Sequence, residues 1–169
     1  MDMELRPWTE ADLALLLRDD TDEMNRYLGG PDGESIIRAR HERFLRGQRD
    51  GTVWPFSVWV DGESEPVGAV CYWCTDYRDT PAFEAAWAIG TAYQGRGFAT
   101  HAVRRMLEGA TGSPDRRLVW AFPRTDNTGS NHVARDAGFH LVGEVDSEYP
   151  KGVPIRVNEW VYDTLAENP

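Results

Sequence analysis

The chain of 169 residues is the size of a single domain, and its 41% hydrophobic and 27% charged residues are ordinary for a globular protein. No apolar run approaches the roughly 20 residues of a membrane span, and the acidic start, Met-Asp-Met-Glu, does not resemble a signal peptide, so we expect a cytoplasmic protein that does not enter membranes. The net charge of −10 argues against nonspecific nucleic-acid binding and suits either a cationic substrate or simple solubility.

The first fifty residues are predicted to hold one strand followed by helices. Met3 to Trp8 is the predicted strand, and Thr9 with Asp12 makes a capping-box-like start for the first helix. A second helical stretch is predicted over about Asp22 to Leu28, before a Gly-Gly-Pro run. A third is predicted from near Ser35 to just before Gly47. The opening of the chain is therefore mostly helical.

Three strands are predicted in the middle of the chain. The first two, Trp54 to Val60 and Pro66 to Thr75, are joined by Asp61-Gly62, which is typical of a hairpin turn. We expect a polar loop over Asp76 to Pro81. The third strand then runs from Phe83 to Ile89 and contains small, aromatic and β-branched residues.

The two cysteines, Cys71 and Cys74, form a Cys-x-x-Cys pair inside the second of these strands. A zinc site needs four ligands, and the sequence has no second pair. Residues three apart on a strand point to opposite faces, which disfavours a disulfide. We therefore expect two ordinary, partly buried thiols and no metal.

A glycine-rich turn, Gln94-Gly95-Arg96-Gly97, follows the third strand and precedes an amphipathic helix. The first turn of a helix carries main-chain N–H groups without helical partners, and glycines let a phosphate approach them closely. The turn is therefore predicted to bind a phosphorylated ligand. A Walker A loop is excluded because its Lys is missing, and a dinucleotide fingerprint is excluded because Thr100 stands where a third Gly or Ala is needed.

The last third of the chain is predicted to contain a strand, a short helix and two closing strands. The strand covers Arg117 to Phe122, and the helix lies between Asn127 as its N-cap and Gly138 as its C-cap. The closing strands are His140 to Val145 and Pro154 to Leu165. This order of elements suits an α/β protein with a sheet of mixed direction.

The pattern Gln-x-x-Gly-x-Ala, at Gln94, Gly97 and Ala99, resembles the pyrophosphate loop of the GNAT superfamily of acyl-CoA N-acetyltransferases. The longer run from Glu84 to Thr100 resembles the Rim-type branch, which includes ribosomal-protein N-terminal acetyltransferases and antibiotic-modifying enzymes. A second point of likeness is the Asn-x-x-Ser at Asn127, followed by Gly-Phe, which resembles the helix bordering the acyl-CoA cleft.

The resemblance implies a single GNAT-like domain over residues 1–169, with a mixed, mostly antiparallel central sheet of about six to seven strands flanked by helices. Residues 9–49 would form the substrate side, and residues 84–139 would form the acyl-CoA-binding core. Acetyl-CoA is the implied cosubstrate. Its implied binding residues are Trp87, Ala88, Ile89, Gln94, Gly95, Arg96, Gly97, Phe98, Ala99, Thr100, Asn127 and Ser130.

Acetyl transfer to nitrogen needs a neutral amine, and a carboxylate in the cleft could take the proton from it, directly or through water. Glu84 matches a Glu that recurs at the start of this strand in the branch, and Glu159 is the rival because burial among Trp160 and Tyr162 would raise its pKa. Many relatives place a Tyr acid where this chain has Ala134, whereas Ser130 stands where the Rim-type branch often has Ser, so the resemblance assigns stabilisation or protonation of the departing thiolate to Ser130. Glu84, Glu159 and Ser130 are thus the predicted catalytic residues.

The function that the sequence favours is transfer of an acetyl group from acetyl-CoA to a primary amine by direct attack in a ternary complex. The amine belongs to a small molecule or to a protein N-terminus, and the protein is expected to act as a monomer or homodimer without nucleic acid. A non-catalytic acyl-CoA-binding or regulatory module and a nucleotide-binding enzyme of another class are the alternatives.

Overall fold

A computed structural model describes residues 2–166; Met1 and residues 167–169, which the single-domain prediction includes, lie outside the described residues. One seven-stranded sheet has the order β1-β2-β3-β4-β5-β7-β6. All neighbouring strands are antiparallel except β4 and β5, which are parallel. The mixed, mostly antiparallel sheet is therefore confirmed. Its strands are β1 (Met3–Pro7), β2 (Val53–Val60), β3 (Gly68–Tyr77), β4 (Thr80–Ile89), β5 (Leu118–Ala121), β6 (His140–Glu148) and β7 (Pro154–Asp163).

Helices cover both faces of the sheet, and strand alternation tells the two faces apart. Val70 of β3 belongs to the main core, whereas its neighbour Ala69 packs against the smaller cluster of Trp8, Leu15 and Leu45. The main core contains the apolar side of the third helix, and the smaller cluster holds the first two helices against the opposite face. The helices are α1 (Leu13–Asp19), α2 (Glu34–Asp50), α3 (Phe98–Ala110) and α4 (Thr128–Asp136).

Several local signals in the sequence form the structures predicted for them. The main-chain N–H of Thr9 donates to Asp12 Oδ2 over 2.7 Å, as in a capping box. The Asn127 side chain accepts the N–H of Ser130 over 3.1 Å and caps α4. Gly62 adopts a φ of 90° in the turn between β2 and β3. Short-range hydrogen bonds and positive φ values decide these elements.

The helix predicted over Asp22 to Leu28 is wrong, because this stretch forms turns instead. The Asp20 carboxylate accepts the main-chain N–H groups of Asp32 and Gly33, each over 2.8 Å, and so draws the far end of the loop back to α1. The Asn25 side chain also donates to Asp20, over 3.1 Å. These side-chain bonds to distant groups outweigh a short local helix.

The polar loop predicted over Asp76 to Pro81 is also wrong. β3 continues to Tyr77 and β4 begins at Thr80, so only two residues connect the strands. Those residues, Arg78 and Asp79, have φ values of 52° and 59°. Both are left-handed, as a two-residue hairpin with the sheet's twist requires. The turn lacks glycine, and the sequence therefore gave little indication of it.

Cys71 and Cys74 are both free, which confirms the prediction of two ordinary thiols. Burial raises the pKa of Cys71 to about 12. Within residues 2–166, no helix has the length and apolar character to cross a membrane. The same part of the chain contains no group of three or more His, Cys, Asp or Glu side chains placed to hold a metal ion.

Candidate active site

The central feature of the site is the place where β4 and β5 separate. β4 is paired with β3 along its whole length, but its register with β5 covers only Phe83 with Val119 and Glu84 with Trp120. Beyond Glu84 the other edge of β4 has no paired strand in the described part of the chain. The sheet therefore opens into a wedge whose apex is at Glu84.

Main-chain groups on the open edge of β4 can bind an extended ligand as a strand would. The N–H of Gly90 donates to the Val67 carbonyl over 2.9 Å, so the main-chain groups of Gly90 point toward the β3 side. Along a strand, the main-chain groups of every second residue point to the same side, so those of Ala88 also point toward β3. Those of Trp87 and Ile89 face the wedge. Ala88 contributes an exposed methyl group to the sheet face instead.

The turn between β4 and α3 presents an exposed main-chain surface. Gly95 and Gly97 have φ values of 74° and 79°, and a Cβ at either position would project into open space. The first helical hydrogen bond of α3 joins the His101 N–H to the Gly97 carbonyl over 3.2 Å. The N–H groups of residues 98–100 therefore lack helical acceptors. This is the geometry of an anion cradle.

Side chains of this turn hold it in place. Gln94 Nε2 donates to the Ile89 carbonyl over 2.8 Å, which fastens the turn to the end of β4. Arg96 Nη1 lies 2.8 Å from Glu63 Oε1, and its guanidinium carbon lies 4.5 Å from the centre of the Phe98 ring. Phe98 itself is 3% exposed. Gln94 and Arg96 thus have protein partners, and Phe98 can offer a ligand only its main chain.

Helix α4 lies beyond β5 in the chain and carries the remaining predicted cofactor residues. Asn127 caps the helix, and the Ser130 N–H is its donor. The Ser130 hydroxyl makes no hydrogen bond to any residue among 2–166 and is free to act on a ligand. Ala99 and Thr100 are partly exposed at the start of α3.

Glu84 is a partly buried carboxylate without a hydrogen bond or ion pair in the described part of the chain. Burial alone raises its pKa from 4.5 to about 7. Its register partner on β3 is Trp73, which lies on the same face of that strand as Ala69. Because Ala69 packs against the cluster of α1 and α2, Glu84 lies on the face that these helices cover. The exposed methyl groups of Ala86 and Ala88 continue this face toward the turn between β4 and α3.

Glu159 is 2% exposed and has two partners on the hairpin between β3 and β4. The Tyr77 hydroxyl donates to its Oε1, and Arg78 Nη2 lies 2.6 Å from the same oxygen. Trp160, which was expected to surround Glu159, points to the opposite face and belongs to the main core. Glu159 is therefore buried by the hairpin and is engaged as a counter-ion.

Sequence reasoning missed three residues that shape the site: Tyr77, Arg78 and Asn131. Asn131 Oδ1 accepts from Asn158 Nδ2 over 2.7 Å and from Trp160 Nε1 over 2.8 Å, and so ties α4 to β7. These contacts join residues far apart in the chain, and no local pattern indicates them. The second Asn in the segment Asn-Thr-Gly-Ser-Asn was the only available signal.

A family model described as an acetyltransferase (GNAT) domain matches residues 2–140, which is more than half of the chain. The chain therefore belongs to the GNAT family of acetyltransferases and is an acetyltransferase enzyme. This confirms the family that Gln94, Gly97 and Ala99 indicated. A comparison with curated proteins finds no match.

Solved structures share the fold over nearly the whole chain. An acetyltransferase from Salmonella typhimurium, described as modifying the N-terminal serine of a 50S ribosomal subunit protein, has a TM-score of 0.80 at 19% identity and covers 95% of this chain and 94% of its own. Spermidine N-acetyltransferase from Vibrio cholerae, in complex with CoA and spermine, has a TM-score of 0.77 at 19% identity, with 96% and 95% covered.

The aminoglycoside acetyltransferase AAC(6')-Ib in complex with coenzyme A has a TM-score of 0.75 at 18% identity, with 96% of this chain and 95% of its own covered. These neighbours confirm the GNAT fold. Their acceptors differ from one another, and identities this low establish the architecture without establishing a substrate.

Proposed function

We propose that this enzyme transfers an acetyl group from acetyl-CoA to a primary amine by direct attack in a ternary complex. The observation that carries the proposal is Glu84, an unpaired carboxylate with a pKa of about 7 at the apex of the wedge between β4 and β5. A group that titrates near the working pH is suited to general-base catalysis.

Acetyl-CoA would be held by main-chain groups of β4 and of the turn that follows it. The pantetheine arm would pair with Trp87 and Ile89 on the open edge of β4. The diphosphate would lie on the N–H groups of Gly95 to Thr100, where open space and two left-handed glycines permit close approach. When bound, acetyl-CoA supplies an acetyl group activated as a thioester.

The acceptor amine must lose a proton, and Glu84 is placed to take it. A lysine-like amine titrates about three pH units above neutrality, so holding it neutral costs about 4–5 kcal/mol, whereas an N-terminal amine near 8 requires far less. Glu84 needs no rearrangement to accept the proton, because it has no competing hydrogen bond. Glu159, the rival base, is already occupied by Arg78 and Tyr77.

The departing thiolate needs only modest help, because a simple thiol titrates near 8.5. We assign this help to Ser130, whose hydroxyl is partly exposed on the first turn of α4 and is free of protein partners within residues 2–166. Asn127 supports it by fixing the start of that helix.

The proposed acceptors form a broad class of amines. Proteins with this fold include one described with spermine, one described with kanamycin and one described as modifying a ribosomal protein N-terminus. We propose a small-molecule amine or a protein N-terminus, with the enzyme acting in the cytoplasm as a monomer or homodimer. Its two free thiols suit a reducing compartment.

Gly97→Glu tests the cradle, because the new side chain would occupy the open space and bring a negative charge to the diphosphate. We expect loss of the thermal stabilisation by CoA, which at 100 times the dissociation constant is worth about 2.7 kcal/mol. Differential scanning fluorimetry with and without CoA measures it.

The matched control is Gly112→Glu, since Gly112 also has a positive φ, of 86°, and open space around its Cβ position. Both variants carry the same backbone strain and the same charge, at opposite ends of α3. Equal stabilisation of the two by CoA would contradict the cradle. If CoA binds but no amine in a panel is acetylated and acetyl-CoA is not hydrolysed, the non-catalytic alternative holds.

A further inference from the structure

An aromatic cluster lies beside Glu84 on the same face of the sheet. Tyr77 packs over the end of β5, with ring centres 4.7 Å from Trp120 and 5.0 Å from Phe122. Trp120 is also the register partner of Glu84 across the parallel strands. Side chains at such paired positions are neighbours, because adjacent strands lie about 4.8 Å apart. The cluster therefore borders the proposed base.

Arg78 is held rigidly on this cluster. Its guanidinium carbon lies 5.5 Å from the Tyr77 ring centre and 5.8 Å from that of Trp120. Its Nη2 contacts the buried Glu159 carboxylate over 2.6 Å. The left-handed φ of 52° fixes its main chain in a two-residue turn. A long, flexible side chain is thus restrained from both ends.

Most of the hydrogen-bonding capacity of Arg78 is unused. A guanidinium has five N–H donors, and within residues 2–166 its hydrogen-bond partners are the Glu159 carboxylate and the Tyr77 hydroxyl, which leaves most of the donors unused. The side chain is 55% exposed, so the remaining donors are accessible to solvent. A planar, fixed guanidinium with free donors is a good receptor for a carboxylate.

We propose that Arg78 binds a carboxylate of the acceptor, so that the preferred substrates are amino acids or short peptides carrying an amine and a carboxylate. The inference rests on the proposed function, since Glu84 must receive the amine. Trp120 is the register partner of Glu84 and lies beneath the Arg78 guanidinium, so one side chain separates the two recognition points. Glu159 acts here as a positioning residue that fixes Arg78.

A cationic second group on the acceptor fits these contacts less well. Glu159 Oε1 already accepts from Tyr77 and Arg78, and the guanidinium already covers the aromatic rings. A competing cation would have to displace an attached partner and leave Arg78 without its counter-ion. The groups without a protein partner here are N–H donors of the Arg78 guanidinium, and such donors bind anions.

The test compares acceptors in pairs in which an amide replaces the carboxylate: glycylglycine with glycylglycinamide, β-alanine with β-alaninamide, and lysine with lysinamide. For the wild type we expect kcat/KM to favour the acids. In Arg78→Ala the preference should disappear, with KM for the acids rising about 10- to 100-fold, as expected for a lost hydrogen bond to a charged group. KM for the amides should stay unchanged.

The control variant is Arg117→Ala, because Arg117 is 59% exposed and ion-paired with Asp163 but lies at the other end of β5. It should leave both members of each pair unaffected. Glu159→Gln should raise KM for the acids with kcat preserved, whereas loss of kcat for acids and amides alike would make Glu159 the base.

Equal use of acids and amides by the wild type, or a preference for the acids that persists unchanged in Arg78→Ala, would overturn the inference. CoA binding is measured in parallel for each protein. A wild type that binds CoA and acetylates amides as well as acids refutes only this inference, whereas a wild type that does not bind CoA refutes the proposed function with it. Competition binding of each acid and amide to the CoA-loaded protein ranks the pairs without turnover.

Discussion

The partial burial that suits Glu84 to act as a base also lowers the stability of the protein, because the charged carboxylate has no hydrogen bond or ion pair among the described residues. In the unfolded chain its pKa is near the ordinary 4.5, and in the folded protein it is about 7. Between these values the folded state holds a proton that the unfolded state has lost. The free energy of unfolding therefore falls as pH rises through this window, and the full cost is present above about pH 7.

Replacing Glu84 with Gln should stabilise the protein at pH 8 by on the order of 3 kcal/mol and leave it unchanged at pH 4, because the amide never carries the buried charge. Urea unfolding at the two pH values measures the difference. The same gain at both pH values would show that the stabilisation comes from packing and not from ionisation.

The same variant should lose turnover by about 10²- to 10⁴-fold, the usual contribution of a general base. For the wild type, kcat/KM should rise with pH and level off above about 7, and the variant should lack this rise while its affinity for CoA stays the same. If the rise persists in Glu84→Gln and vanishes in Glu159→Gln, the base is Glu159.

For single residues, the sequence predicts a role well when that role depends on residues nearby in the chain. Asn127 could be predicted as a cap because its partner is Ser130, three residues away. The pairing of Arg78 with Glu159 could not, because it spans 81 positions and depends on the order of strands in the sheet. Glu84 could be predicted by its place in a motif, but the absence of any partner is a property of the folded chain.

Among the elements, α4 is hydrogen-bonded to β7 through the side chain of Asn131. Asn131 accepts two hydrogen bonds from β7 through its Oδ1 and donates to the Arg124 and Asn127 carbonyls over 2.9 and 2.8 Å. It therefore satisfies both ends of its amide. The helix that carries Ser130 is positioned against the sheet by this contact.

Asn131→Ala should destabilise the protein by about 2–4 kcal/mol, because the Asn158 amide and the Trp160 indole N–H lose their acceptor. Each donor left without a hydrogen bond costs about 1–3 kcal/mol. Chemical denaturation measures the loss. The comparison variant is Asn127→Ala, which removes only a cap and should cost about 1 kcal/mol. Equal losses in the two variants would show that the link to β7 adds nothing.

Strands and longer helices were predictable because their apolar patterns reflect the faces they bury, as in α3 with Met106 and Leu107. The failures have a common cause. The stretch from Asp22 to Leu28 is shaped by Asp20 reaching across to Asp32 and Gly33, and the turn at Arg78 and Asp79 adopts left-handed backbone without the usual glycine. Long-range contacts decide both.

For the whole molecule, the net charge of −10 has a consequence for ligand capture. CoA is also an anion, so long-range repulsion opposes its approach, while the proposed cradle attracts it only at short range through main-chain amides. Raising the ionic strength from about 0.01 to 0.15 M shortens the Debye length from about 30 to 8 Å. The association rate constant for CoA should therefore increase.

Stopped-flow fluorescence with CoA over this range of salt checks the direction, and a neutral pantetheine analogue is the control that should show no salt dependence. A rate constant that falls with salt would mean that local cations such as Arg96 dominate the encounter.

The overall architecture could be predicted from the order of elements and the glycine turn, and the family match over residues 2–140 agrees with it. The number of strands was bounded only loosely, and the strand order β5-β7-β6 has no signature in the sequence. The wedge forms because β4 is in register with β5 only at Phe83 and Glu84, in the middle of β4, and this limited pairing has no signature in the sequence either.

The short contact between β4 and β5 also bears on mechanical behaviour. It divides the sheet into one half of four strands and another of three, joined in register only at Phe83 with Val119 and at Glu84 with Trp120. A force that separates β4 from β5 along this seam would act on very few main-chain hydrogen bonds. A force that separates β3 from β4 would act on a ladder that runs along the whole of β4. Under tension the molecule should yield first along the seam where the ligand site is proposed.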